Sequence, residues 1–346
     1  QELGGADWPY WQAKRREEEL GIDEAELHKY FPLEQVLTDG VFYAANLLYG
    51  ITVDKRADLA GYRDDVDVWE VKEEDGTGIG LLLTDYAARP SKRGGAWMSS
   101  FVDQSHLAGT KPVVVNVMSI NSNLLTIDEV TTVFHEFGHA LHGLLSDVRY
   151  PSHSGTNVPR DWVEFPSQIN ENYAFAPEIA RNYARHVDTG EPIPTPLLEA
   201  MEASRQFGQG FSTAEYLAAS AIDLAWHSLD GELPSDVDAF EAQVLRDYGL
   251  DVDGLEPRYR STWFNHIFAG GYAAGYYSYA WAEVLSADAY AAFEESDDVA
   301  ATGKRFWQEI LAVGGSRSAA ESFKAFRGRE PSLDALLRHS GFDNAA

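Results

Sequence analysis

The chain has 346 residues, 45% of them hydrophobic and 12% aromatic, a composition that excludes intrinsic disorder and can bury a large core. Its formal net charge of −28 argues against a nucleic-acid-binding face, and its lack of cysteine excludes disulfides and thiolate metal ligands. No run of 18 apolar residues is present, so no membrane-spanning helix is expected.

Helical periodicity opens the chain, over about 8–20 and again over 33–49 behind Pro32. From about Val68 to Val117 the period changes. Val68–Lys72, Gly78–Thr84 and Pro112–Val117 read as short strands between Gly, Pro and Asp turns, a small sheet expected beside the helix that follows. Helices then dominate, expected over about 162–186, 196–206, 212–227, 235–248, 272–294, 301–313 and 318–327. Acidic runs such as Asp64-Asp65, Glu73 to Asp75 and Glu294 to Asp298 fall between these elements or on their faces and read as solvated surface.

The helix after the sheet carries the chemistry. Thr126-Ile-Asp-Glu129 is a capping box, and Val130, Val133, Phe134, Phe137, Leu141 and Leu144 mark a buried face. Within it stands His135-Glu136-Phe-Gly-His139, an H-E-x-x-H motif. On a helix, His135 and His139 project from one face and can grip one metal ion, with Glu136 beside the metal's water. Two unconnected surface histidines are the bland alternative. The apolar residues on either side argue against it, because buried polar groups need partners.

A catalytic zinc site takes three protein ligands and leaves the fourth position to water. Asp161, Glu164 and Glu171 compete for the third place. Glu164 is favoured because Val163 and Phe165 flank it. Asp161 sits where a helix N-cap is expected, and Glu171 suits a carboxylate that orients a ligand histidine through its second nitrogen.

A second constellation is His266-Ile-Phe-Ala-Gly270-Gly271-Tyr272, continued by Tyr276 and Tyr279. The tyrosines are spaced i, i+4, i+7, so a helix starting near Gly271 would align their hydroxyls, with the glycines as a hinge. From spacing alone, an aromatic stripe packed in a core is the simpler reading.

The sequence resembles the thimet-oligopeptidase family of zinc peptidases, and within it the bacterial peptidyl-dipeptidases. His135 to His142, Ser154 to Glu171, Gly270 to Tyr277, and the segments Lys92–Trp97, Lys111–Asn116 and Leu336–Gly341 carry the likeness. The resemblance implies a mainly α, zincin-type catalytic domain with a small β-sheet beside the H-E-x-x-H helix, half of a two-lobed channel peptidase. It implies one zinc ion on His135, His139 and Glu164, with Glu136 as the catalytic carboxylate. It places His266 and Tyr279 in transition-state stabilisation, and Tyr272, Tyr276, Gly270 and Gly271 in substrate binding. Members are about twice this long and the chain begins with Gln1, so residues 1–346 are expected to be the C-terminal catalytic domain of a longer enzyme whose N-terminal half is absent.

The implied reaction is hydrolysis of short peptides with release of C-terminal dipeptides in the cytoplasm, without nucleic-acid or membrane partners. Arg160 and the Lys92-Arg93 pair are candidate contacts for the substrate carboxylate. An oligoendopeptidase sharing the same site is the alternative within the enzymes. A truncated zinc- or peptide-binding module with little turnover is the alternative outside them.

Overall fold

The computed structural model describes residues 4–342, which form two compact units. Residues 23–199 and 282–336 make the larger unit; residues 4–22, 200–281 and 337–342 make the smaller one. In chain order the longer helices are α1 (Trp8–Leu20), α2 (Tyr43–Tyr49), α3 (Ile127–Leu144), α4 (Phe165–Glu171), α5 (Pro177–Tyr183), α6 (Thr195–Ser204), α7 (Gln209–His227), α8 (Val237–Asp247), α9 (Ser278–Glu294), α10 (Val299–Phe306) and α11 (Ala319–Arg327). The strands are β1 (Thr52–Lys55), β2 (Asp67–Lys72), β3 (Gly78–Ala87), β4 (Trp97–Val102) and β5 (Val113–Ile120). The expected mainly helical architecture with a small sheet is what the chain adopts. Among the described residues no helix is long and apolar enough to cross a membrane.

The larger unit is built on a mixed sheet of order β1-β2-β3-β5-β4. β3 and β5 run parallel, Leu82 opposite Val114, while the other pairs are antiparallel. Side chains alternate across it. Val68, Leu83, Val115 and Val117 gather with Val66 on one face. Gly80, Val114 and Met98 belong to the other, which lies against the end of α3: a Cβ on Gly143 would come within 2.9 Å of Val114 Cγ1, and one on Gly80 within 3.2 Å of Leu144. The sheet therefore stands beside the motif helix, as expected from sequence.

Several expectations are corrected. The helix read over 33–49 is present, but Val36–Phe42 winds as a wider π-helix within it. The helix read over 162–186 breaks into a short turn of helix (Arg160–Val163), α4 and α5, with prolines in the first turns of both α4 and α5. Asp161 lies inside that short helix, whose N-cap is Pro159, so it is not a cap. β1 and β4 complete the sheet and were not expected.

In the smaller unit α7 packs on α8 through Ala221, Ile222 and Val244, with Trp226 and Phe240 at the edge. Ala219 of α7 joins Phe264, Ile267 and Tyr276 in a second cluster.

Candidate metal centre

Helix α3 begins at the expected capping box: Thr126 Oγ1 accepts from Glu129 N at 3.0 Å, and Glu129 Oε2 accepts from Thr126 N at 2.9 Å. Twelve residues on, Gly138 separates the motif's halves. A Cβ there would lie 2.6 Å from Ser167 Cα and 2.7 Å from Pro166 O, so only glycine lets α4 come this close. Asn170 Nδ2 of α4 donates to Phe134 O of α3 at 2.5 Å, tying the two helices in register. This approach carries Glu164, the residue before α4, onto the histidines. Ser167 Oγ steadies it by donating to its backbone carbonyl at 2.8 Å.

His135, His139 and Glu164 each offer a ligand atom, all within 4.8 Å of one another, the one such cluster among the described residues. Glu164 Oε2 stands 3.3 Å from His135 Nε2 and 3.1 Å from His139 Nε2. Ligands at about 2.0–2.1 Å around a tetrahedral ion are roughly 3.3 Å apart, so these spacings fit a zinc-sized ion. Hydrogen bonding makes the same point. His135 Nδ1 lies 2.6 Å from Glu171 Oε1, so Nδ1 carries the proton and donates it. A neutral His135 then turns its Nε2 lone pair toward the Glu164 carboxylate. Two acceptors at that distance need a cation between them, supplied by an ion or by a second proton.

The electrostatics follow from this crowding. Burial opposes a charge on His135, but bonds to Glu164 and Glu171 hold its pKa well above the ordinary imidazole value. Burial likewise opposes ionisation of Glu164, yet the two histidines keep it well below the usual carboxylate range. Glu136 is 4% exposed, and burial pushes its pKa up against the pull of both histidines. Its Oε2 and His139 Nδ1 are buried without a hydrogen-bond partner. Glu136 is thus a carboxylate whose proton affinity has been raised beside a set of metal-fitting donors. His142 stands outside the cluster, fully buried, its pKa pulled down to about 3 by burial.

The second constellation lies in the smaller unit and is assembled differently from the expectation. Residues 270–277 form turns, and α9 starts only at Ser278, so Tyr272 and Tyr276 are not on its helical face. Positive φ at Gly271 (83°) and Ala274 (51°) bars a helix there. The rings still meet through the turns: Tyr272 stacks on Tyr279 at 5.2 Å, Tyr276 lies 5.4 Å from Tyr279, and His266 lies 5.7 Å from Tyr276 and 6.1 Å from Tyr272. Tyr272 and Tyr279 are half-buried, whereas Tyr276 is core. Burial, then the charge of Arg258, lowers the pKa of His266 and favours the neutral ring. Gly270 is required by contact, since a Cβ would lie 2.9 Å from His266 Cα and O.

Of the basic candidates for a substrate carboxylate, Lys92 is spent elsewhere. Its side chain is 3% exposed, with Nζ on Asp85 Oδ1 at 2.8 Å and on the carbonyls of Asp85, Ala87 and Met118. Sequence reading named Glu171 as a support but missed Gly138 and Asn170, whose signal was a glycine inside the motif and an amide immediately before the 171 carboxylate.

The sequence model of Peptidase family M3 matches residues 4–342. Dipeptidyl carboxypeptidase from Salmonella typhimurium is 46% identical over 97% of this chain and 51% of its own length. The Escherichia coli dipeptidyl carboxypeptidase is 43% identical over the same shares. Oligopeptidase A from Salmonella typhimurium is 39% identical over 99% of this chain and 52% of its own. The chain thus spans about half the length of these curated relatives. The BsuCP crystal structure shares the fold, with a TM-score of 0.53 at 16% identity, over 98% of this chain and 66% of that one.

Proposed function

This chain belongs to peptidase family M3, and on that footing we propose that it hydrolyses short peptides with one zinc ion, releasing C-terminal dipeptides. The observation that carries the proposal is the opposition of His135 Nε2 and His139 Nε2 to Glu164 Oε2 at 3.3 and 3.1 Å. These three residues would hold the ion. Bound there, zinc supplies a Lewis acid and a water acidified to a pKa of about 7.

The chain's own residues do the rest. Glu136, its proton affinity raised by burial, takes the proton of the attacking water and returns it to the departing amine. Glu171 keeps the His135 proton on Nδ1, leaving Nε2 free to ligate. His266 and Tyr279 are assigned, on the motif resemblance, to donate to the oxyanion, and Tyr272 and Tyr276, with Gly270 and Gly271, to bind the peptide. A cytoplasmic setting belongs to the same proposal and is compatible with the absence of cysteine.

Release of dipeptides is favoured over internal cleavage because the two dipeptidyl carboxypeptidases, at 46% and 43%, exceed oligopeptidase A at 39%. The test is incubation of the zinc-loaded chain with an N-blocked tetrapeptide, products read by mass spectrometry. An intact C-terminal dipeptide, absent with Glu136→Gln, is the expected result. Cuts at other spacings select the oligopeptidase reading, and no cleavage with zinc bound rejects catalysis by this chain alone.

A further inference from the structure

Asp223 lies one turn before the C-terminal end of α7, fully buried, an unusual place for a carboxylate. It does not pair with a lysine or arginine. Its Oδ1 accepts Ala274 N–H at 2.9 Å and its Oδ2 accepts Tyr276 N–H at 2.8 Å. His227, one turn along α7, brings Nδ1 to 2.8 Å from Oδ1 and 2.9 Å from the Asp223 carbonyl. Both partners are acceptors, so Nδ1 carries the proton and fixes the carboxylate from behind.

Between the two bonded amides the backbone is in an unfavourable state. Ala274, with φ of 51°, is the non-glycine residue of positive φ among the described residues. The loop keeps this conformation because something outside it supplies the bonds. Tyr216, two turns before Asp223 on α7, adds a second clamp. Its hydroxyl donates to Tyr276 O and accepts from Ala280 N at 3.1 Å, so it caps the start of α9.

We propose that Asp223, assisted by Tyr216, is the positioning residue of the 270–277 loop, locking it in the conformation that stacks Tyr272 on Tyr279. The inference rests on the reading above that these tyrosines serve the substrate. Asp223 touches neither substrate nor metal and acts through the loop. Displacing a positioned group by about 1 Å costs on the order of 100-fold in rate.

Asp223→Asn preserves shape but turns an amide donor toward one of the two N–H groups. In the full chain with zinc, it is expected to lower kcat by roughly 100-fold and to raise KM, because the loop also carries the peptide-binding residues, with zinc stoichiometry unchanged. Hydrogen exchange at the Ala274 and Tyr276 amides is expected to accelerate at least tenfold, a readout that needs no turnover. A double-mutant cycle separates positioning from general damage: in a Tyr279→Phe background the Asp223→Asn effect on kcat should largely vanish. Unchanged exchange at both amides, or an equal loss of kcat in both backgrounds, overturns the proposal. If Asp223→Asn does not fold, Tyr216→Phe is read instead, with about a tenfold loss of kcat expected and wild-type kcat and exchange as the contrary result. An unmodified chain that binds zinc but cleaves nothing counts against the peptidase reading alone, and the exchange data still decide the role of Asp223.

Discussion

Substituting Gly138 with alanine probes how the motif helix and the third ligand are brought together. The added Cβ would sit 2.6 Å from Ser167 Cα, 2.7 Å from Pro166 O and 3.0 Å from Asn170 Cβ. The first two are backbone atoms and cannot rotate away, and they are roughly 1 Å short of ordinary van der Waals contact. α4 must therefore retreat from α3 by about that much, at an overpacking cost of about 1–3 kcal/mol. Alanine regains about 1 kcal/mol of helix propensity, so the net destabilisation should be only about 0–2 kcal/mol. The larger effect falls on the metal. Glu164 precedes α4 and moves with it, opening the 3.1 and 3.3 Å spacings to the histidines. Zinc affinity should drop about 10- to 100-fold, the range seen when a ligand's support is lost. Urea unfolding and zinc competition against a chromophoric chelator measure the two effects. Gly210→Ala is the control, because Gly210 is helical and exposed with nothing within 4 Å of an added Cβ. It should gain up to about 1 kcal/mol and leave zinc binding alone. A Gly138→Ala chain that binds zinc as tightly as the unmodified one would refute the account of how Glu164 is placed.

Glu136→Gln should retain zinc while peptide turnover falls about 10²- to 10⁴-fold, measured by peptide cleavage beside metal content. Glu171→Gln should weaken zinc about 10- to 100-fold, because the amide competes poorly for the His135 Nδ1 proton; chelator competition reads this. Asp85, 1% exposed, is held by Arg89 at 2.7 and 2.8 Å, Lys92 at 2.8 Å and Tyr62 OH at 2.5 Å. Asp85→Asn leaves the buried Lys92 without its counter-charge and should cost about 3–5 kcal/mol in urea unfolding at pH 7. Burial favours protonation of Asp85, but Arg89, Lys92 and Tyr62 override it and depress its folded pKa. Its stabilisation is therefore full above the unfolded value of about 3.9 and lost as pH falls through the folded one. The gap between the two proteins should stay constant above about pH 5 and narrow in acid.

Local signals made the motif helix legible, because its capping box, its apolar stripe and H-E-x-x-H all fall within residues 126–144. Three strands were legible for the same reason. β1 was not: Thr52-Val-Asp-Lys55 is mostly exposed and has no apolar alternation to detect. β4 is an edge strand whose Ser99–Val102 stretch faces solvent, so its pattern is weak as well. The tyrosine spacing misled because it matches a helix that begins near Gly271. Asp223, 51 and 53 residues earlier, supplies the bonds that hold a non-helical turn instead, and no local pattern encodes such a contact. Glu164 was favoured from its apolar neighbours. Its placement depends on Gly138 and Asn170, which matter only once α3 and α4 touch.

Equilibrium dialysis against zinc, with the unmodified chain beside His135→Ala, His139→Ala and Glu164→Ala, tests the central claim most directly. The account predicts one equivalent of tightly held zinc in the unmodified chain and at least a hundredfold weaker binding in each variant, with the fold retained by circular dichroism. No zinc bound to the unmodified chain, or binding that survives all three substitutions, would contradict it.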